Sequence, residues 1–355
     1  MQKGFFLNVT ISLLLLTGSL SQAGELVCLQ DLGTLGNGSN SEALWINNSG
    51  HVVGWSDTIS DPDNTEPHAF LWKSSGGMQD LGTLDGGSSS FAVGINNSGQ
   101  VVGRSDTAEG RTRAFLWEND SMQDLGTLGG SASEAYAIND AGQVVGRSLI
   151  AGDVAWHAFL WQNGVMHDLG TLGGTNSDAF AINDEGQIVG VSDTTGDVEF
   201  HAVLWESDGE MLDLGTLGGS NSLANMINDT GQVVGWANTP DNLKHAVLWQ
   251  NDLVLDLGTL GNETESVAYA INNEGQIVGT STYTSDALLF HAVLWQNDLI
   301  LDLGTLGNGT ESVAYAINDE GQIVGASDTT DDQEFHAFLS SRCIKGLPWL
   351  MLLLD

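Results

Sequence analysis

Asp31-Leu32-Gly33-Thr34-Leu35 recurs letter for letter at six further places, beginning at Asp80, Asp124, Asp168, Asp213, Asp256 and Asp302, at intervals of 49, 44, 44, 45, 43 and 46 residues. Tandem units of about 40–50 residues are the mark of propellers and solenoids. The unit around the third copy reads as four short strands. Glu134 to Asn139 alternates small and larger side chains, and Asp140-Ala141-Gly142 forms a short loop. Gln143 to Gly146 is a second strand, His157 to Trp161 a third rich in aromatic and aliphatic residues, and Val165 to Leu172 a fourth after the hairpin signal Asn163-Gly164. No stretch between them carries a helical apolar period. A β-helix needs shorter rungs, so the expected fold is an all-β, seven-bladed propeller of four-stranded antiparallel blades.

Every unit keeps the same order. Ile-Asn closes the first strand at Asn47, Asn96, Asn139, Asn183, Asn228, Asn272 and Asn318. A glycine closes the second at Gly54, Gly103, Gly146, Gly190, Gly235, Gly279 and Gly325. The last unit stops after its third strand, while Leu26 to Leu35 supplies a fourth-type strand before any first strand. Pairing the two closes the ring and removes two sheet edges. Superposed on the third unit, Cys343 falls at Gly164 and Cys28 at Val165, neighbours in the turn that blade seven lacks. A Cys28–Cys343 disulfide is therefore expected to staple the seam in an oxidising compartment.

Residues 1–23 combine Lys3, an apolar stretch from Phe5 to Leu16, and small residues up to Ala23. This is a secretory signal pattern, too short to span a bilayer. The expected organisation is a signal peptide over 1–23, a propeller over 24–341 and a short apolar tail over 342–355, with no stable membrane span in the mature chain. The chain carries 46 acidic and 9 basic residues, a net charge of −37. Such a surface repels nucleic acid and anionic lipid and suits a cationic partner, divalent ions or solubility in salt. Apolar residues make up 41% and stay in phase with the repeat, which excludes disorder.

These motifs resemble the bacterial extracellular HAF-repeat family, named for the tripeptide seen at His68-Ala-Phe70, His157-Ala-Phe159 and His336-Ala-Phe338. Asp124 to Gly130 and Ala137 to Gly146 match the companion motifs, and the similarity covers roughly residues 31–340. The resemblance implies a secreted or surface propeller and supplies no reaction. Some relatives carry a C-terminal Pro-Glu-Pro sorting signal, whereas this chain has only Leu347-Pro348-Trp349.

Six of the eight histidines head third strands, and Arg113 takes that place in unit two. A residue repeated in every blade serves architecture. The pairs His157 and Asp168, His201 and Asp213, and His245 and Asp256 are expected to share a sheet face and hydrogen bond, lying directly opposite if the hairpin loop has four residues and diagonally if it has two. The Ile-Asn asparagines are expected to bond their own turns, and the Trp72 series to pack in the core.

Ligand-binding residues are sought where repeats differ. The position after the second-strand glycine holds Trp55, Arg104, Arg147, Val191, Trp236, Thr280 and Ala326. Trp55, Arg104, Arg147 and Trp236 are candidate ligand contacts, since aromatic rings stack on sugars and guanidinium holds carboxylates. Asp57, Asp61, Asp63 and Glu66 crowd the longest loop as a candidate Ca²⁺ site, though without EF-hand spacing. No nucleophile elbow, His-Glu-x-x-His motif or phosphate loop occurs. The function expected is a non-catalytic, monomeric binding scaffold for a glycan, a cationic protein or a surface polymer. The alternatives are a carbohydrate-active hydrolase or lyase using rim carboxylates, and a surface or matrix structural protein without a specific ligand.

Overall fold

The computed structural model describes residues 27–58, 66–251, 253–261, 265–283, 289–306, 309–329 and 335–342; of residues 27–29 and 341–342 only the backbone is described. The expected signal peptide, the apolar tail beyond Arg342, the side chain of Cys28 and the whole of Cys343 lie outside this set. Cys28–Ser341 forms one compact unit. It is built of seven four-stranded antiparallel sheets, the blades of a closed propeller. In blade one the strands are Ser41–Ile46, Val52–Asp57, Pro67–Lys73 and Gly77–Asp80, in spatial as in sequence order. In blade seven, Val27–Asp31 lies outside Phe335–Arg342, so the first strand of the chain completes the last sheet. Among the described residues, no helix is long and apolar enough to cross a membrane.

Two boundaries differ from the sequence reading. The fourth strand of blade three ends at Asp168 rather than Leu172. Gly170 turns out of the strand at φ 74°, and the Asp168 carboxylate accepts its N–H, so the chain leaves the sheet there. The first strands of blades three and four begin early, at Gly129 and Gly173, where the crossover lies close along the second strand.

Each first strand carries a bulge two residues before its closing isoleucine, as between Ala43 and Trp45. The bulge brings the first-strand backbone down on the second-strand glycine. A Cβ at Gly54 would stand 1.8 Å from the Glu42 carbonyl oxygen, and the equivalent approach recurs at 1.8–2.0 Å in all seven blades. Hence no other residue fits after Val-Val or Ile-Val.

The core lies between blades, not within them. Val52, Phe70 and Trp72 of blade one pack against Ala316, Val324, Ala337 and Leu339 of blade seven. Val53, Ala69 and Leu71 turn the other way, onto Ala92, Ile95, Val101 and Phe115 of blade two. Alternation along each strand thus feeds two neighbouring cores, and each fully buried Val, Leu or Phe side chain contributes about 1.5–3 kcal/mol.

A buried serine fastens each joint. Ser90, at the head of blade two, accepts the Ala69 N–H at 2.9 Å and donates to the Gly82 carbonyl at 2.6 Å, both in blade one. The motif Asp-Leu-Gly-Thr-Leu is the strap across the same joint. Its aspartate caps its own glycine, its threonine hydroxyl closes the loop, and its last N–H reaches a second-strand serine of the next blade, as from Leu35 to Ser56 at 2.8 Å. In blade five Ala237 replaces that serine.

Replacing Ser177 by Ala would strand the Ala158 N–H and the Gly170 carbonyl that it now satisfies. The expected cost is about 2–4 kcal/mol by chemical denaturation, against less than about 0.5 kcal/mol for the exposed Ser207→Ala. Equal effects would refute the stitch.

Candidate functional site

The axis has two chemically different ends. At the hairpin rim, the asparagines closing the first strands form a continuous ring. Asn47 Nδ2 donates to the Asn96 carbonyl at 3.0 Å, Asn96 to Asn139, Asn139 to Asn183, Asn183 to Asn228, Asn228 to Asn272, Asn272 to Asn318, and Asn318 back to Asn47 at 3.0 Å. Each Oδ1 also binds its own turn, as from the His51 N–H to Asn47 and the Gln187 N–H to Asn183. The sequence reading anticipated the turn bonds and missed the ring.

A second ring lies beside the first. The backbone N–H of Asn48 donates to Asn97 Oδ1, and the relay continues through Asp140, Asp184, Asp229, Asn273 and Asp319 to Asn48. Asparagines separate Asp319 from its acidic neighbours, but Asp140, Asp184 and Asp229 follow one another. The middle carboxyl, Asp184, is raised above its ordinary value, first by burial and then, against the Asp140 N–H that lowers it, by the charges of Asp140 and Asp229.

The other mouth, at the crossover rim, is varied. The residues directly opposed across the first and second strands are Glu42 and Trp55, Phe91 and Arg104, Glu134 and Arg147, Asp178 and Val191, Leu223 and Trp236, Val267 and Thr280, and Val313 and Ala326. Trp55 Nε1–H donates to Glu42 at 2.8 Å, and its ring lies 5.9 Å from Phe91. Arg104 covers the far side of that system, 4.6 Å from the Phe91 centroid and 3.8 Å from Glu134. Arg147 donates to Glu134 at 3.1 Å, approaches Asp178 at 3.6 Å and lies over Trp156. Tyr136 donates to Glu134 at 2.7 Å; burial and the Glu134 charge push its hydroxyl far up, so it stays protonated. Burial also raises Asp178, against the Arg147 charge that lowers it.

Of the four candidate contacts, Trp55, Arg104 and Arg147 therefore belong to one wall across blades one to three. Trp236 stands apart in blade five, 9% exposed, with Phe200 at its edge and Lys244 over its ring. The opposing first-strand residues were missed. Their signal was available, because the position after the first-strand serine varies among the seven copies as widely as Trp55 does among its own.

The acidic loops serve the frame. Asp57 is 3% exposed and its carboxylate accepts Asn40 Nδ2 at 2.8 Å. Asp61 and Asp63 lie outside the described residues, and Glu66 is exposed. Asp193 holds Asn176, Asp197 holds Thr175, and Asp328 holds Thr310 and Glu311. Among the described residues no group of three or more His, Cys, Asp or Glu is placed to hold a metal ion.

The repeated histidines and aspartates are hydrogen-bonded in six blades. His157 lies 2.9 Å from Asp168, His201 2.8 Å from Asp213 and His245 2.8 Å from Asp256, with His68–Asp80, His291–Asp302 and, across the seam, His336–Asp31 alike. The hairpin loop has two residues in blade three and is longer in blades one and four, but in blades one and three to six the residue two beyond the histidine stands opposite the aspartate, as Phe159 does Asp168, so these pairs are diagonal. In blade two Arg113 lies 3.5 Å from Asp124 instead.

No family model matches the chain, and no curated protein does. Among solved structures it is similar to the β-propeller domain of the Trilobed protease from Pyrococcus furiosus, whose description gives it an open velcro topology (TM-score 0.61, 9% identity, 87% of this chain and 98% of that one). It is also similar to a puromycin-hydrolyzing peptidase of Mycobacterium tuberculosis (TM-score 0.59, 10% identity, 88% and 55%) and to TolB from Acinetobacter baumannii (TM-score 0.47, 11% identity, 86% and 65%). The chain spans about half of that peptidase and just under two thirds of TolB. At these identities the likeness concerns the propeller fold alone.

In blade one the hydrogen bond that the His68 ring donates to the Asp80 carboxylate is the main cause raising His68. Burial opposes ionisation of Asp80, but the bonds from His68 and the Gly82 N–H outweigh it and lower the carboxyl. The histidine's contribution to stability is thus full below about pH 6.5 and lost as pH rises through its higher folded value. That of the aspartate is present above about pH 3.9 and lost as pH falls through its lower one. In an NMR titration His68 should titrate above about 6.5, and Asp80→Asn should move its midpoint down; an unmoved midpoint would show that the pair does not form in solution.

Proposed function

We propose that this chain is an exported, non-catalytic member of the HAF-repeat type that works as a binding scaffold through the crossover-rim mouth of its propeller. The ligand classes that suit it are glycans, cationic proteins and surface polymers. One contrast carries the reading. The hairpin-rim mouth is ringed by the same asparagine contact in every blade, whereas the crossover-rim mouth presents a different opposed pair in each. Variable side chains on a rigid frame are where recognition resides. Export rests on the signal pattern of residues 1–23.

The test is capture on a glycan and cell-surface array, with and without Ca²⁺, by the parent chain and by a Trp55→Ala, Arg104→Ala double variant. Two ring or guanidinium contacts of about 1 kcal/mol each predict a loss of capture of about tenfold or more, with the circular dichroism and melting profile retained. Undiminished capture would reject this mouth as the site.

A further inference from the structure

The seam between blades six, seven and one holds a cleft of distinct chemistry. Its walls are Trp55, Phe290, Tyr315 and Phe335, with Val313 behind them and Glu42 and Asn40 at the edge. Glu42 accepts the Trp55 indole N–H at 2.8 Å, and burial together with the Glu42 charge pushes the Tyr315 hydroxyl well above its ordinary value. The Glu42 carboxylate is thereby fixed among four aromatic side chains. No lysine or arginine lines the cleft.

Elsewhere on this rim, the propeller fills the same kind of place with a cation of its own. Arg104 lies 4.6 Å over Phe91, Arg147 4.5 Å over Trp156 and Lys244 4.7 Å over Trp236. In each, a second- or third-strand head supplies the ring or the charge. At the seam the cleft takes a ring from each such position that lines it, Trp55 from a second strand and Phe290 and Phe335 from the heads of third strands, while Thr280 and Ala326 hold the second-strand positions of blades six and seven. Among the described residues no protein cation lies over any of them.

We propose that this cleft binds a quaternary ammonium group, the cation taking the ring faces and Glu42 balancing its charge. Aromatic walls with a fixed carboxylate favour an organic cation over an anion or a neutral molecule, because ring faces are the negative ends of their quadrupoles. The chain's net charge of −37 raises the local concentration of cations and repels acidic polymers. The assignment deepens the reading of the crossover rim as a binding surface and rests on it.

The experiment is calorimetric titration of the full chain with choline, with tetramethylammonium and with 3,3-dimethylbutanol, the uncharged isostere of choline. Saturable binding of both cations is expected, at least tenfold tighter than of the alcohol. Glu42→Gln, which keeps an acceptor for Trp55, should weaken choline about tenfold and leave the alcohol unchanged. Trp55→Phe should retain more affinity than Trp55→Ala. Phosphatidylcholine vesicles form a second arm: binding competed by free choline assigns the headgroup to lipid, and uncompeted binding counts against the cleft. Equal affinity for choline and the alcohol, no saturable binding, or binding of a neutral oligosaccharide that choline does not displace would overturn the proposal. Should the cations fail while array capture still depends on Trp55 and Arg104, only the cleft assignment falls; failure of both removes the rim reading as well.

Discussion

A four-stranded blade has two apolar faces and can bury neither alone. Every other feature of this molecule answers that constraint. Phe70 and Trp72 look back to the previous blade while Ala69 and Leu71 look forward, so each core belongs to two sheets. The last sheet then needs the first, which is why Val27–Asp31 must return to Phe335–Arg342. Hydrophobic burial fixes the distance between sheets without fixing their register. The serine stitch and the Asp-Leu-Gly-Thr-Leu strap supply the register through bonds whose partners have no alternative.

The same constraint divides the surface into parts free to vary and parts that are not. The second-strand glycine is pinned by a carbonyl less than 2.1 Å from where a Cβ would lie, and the first-strand serine and asparagine by buried bonds to the next blade. One residue beyond the glycine, the side chain leaves that contact and meets other side chains of the rim, as Trp55 meets Glu42 and Phe91. There the chain changes from Trp55 to Arg104 to Val191 to Ala326 without loss of the frame. Rigid placement also gives chemical meaning to the variation, since Glu134 can hold Arg104, Arg147 and Tyr136 together only because two adjoining blades present them at fixed spacing.

Period, strand order and ring closure were legible because they are one-dimensional: copies of Asp-Leu-Gly-Thr-Leu, the alternation in His157 to Trp161, and the unmatched end strands need no knowledge of neighbours. The pairing of His157 with Asp168 was legible too, since both lie on one hairpin, and only its diagonal geometry awaited the loop length. What stayed hidden depends on contacts between blades. Nothing in Ile182-Asn183 announces that the amide reaches the carbonyl of Asn228, 45 residues away. Nor does Phe335 announce that it shares a cleft with Trp55. Nor does the acidic loop announce that the Asp57 carboxylate accepts a hydrogen bond from Asn40.

All seven side-chain amides of the first asparagine ring point in one rotational sense, and the joint across the seam, from Asn318 to Asn47, has the same length and partners as the joints inside the chain. In this ring the seam of blade seven, between Val27–Asp31 and Phe335–Arg342, is therefore equivalent to any other third-to-fourth hairpin. Circularly permuted versions opened in a different blade would inherit an identical wheel, and whole units could be traded between positions, carrying their rim side chains with them.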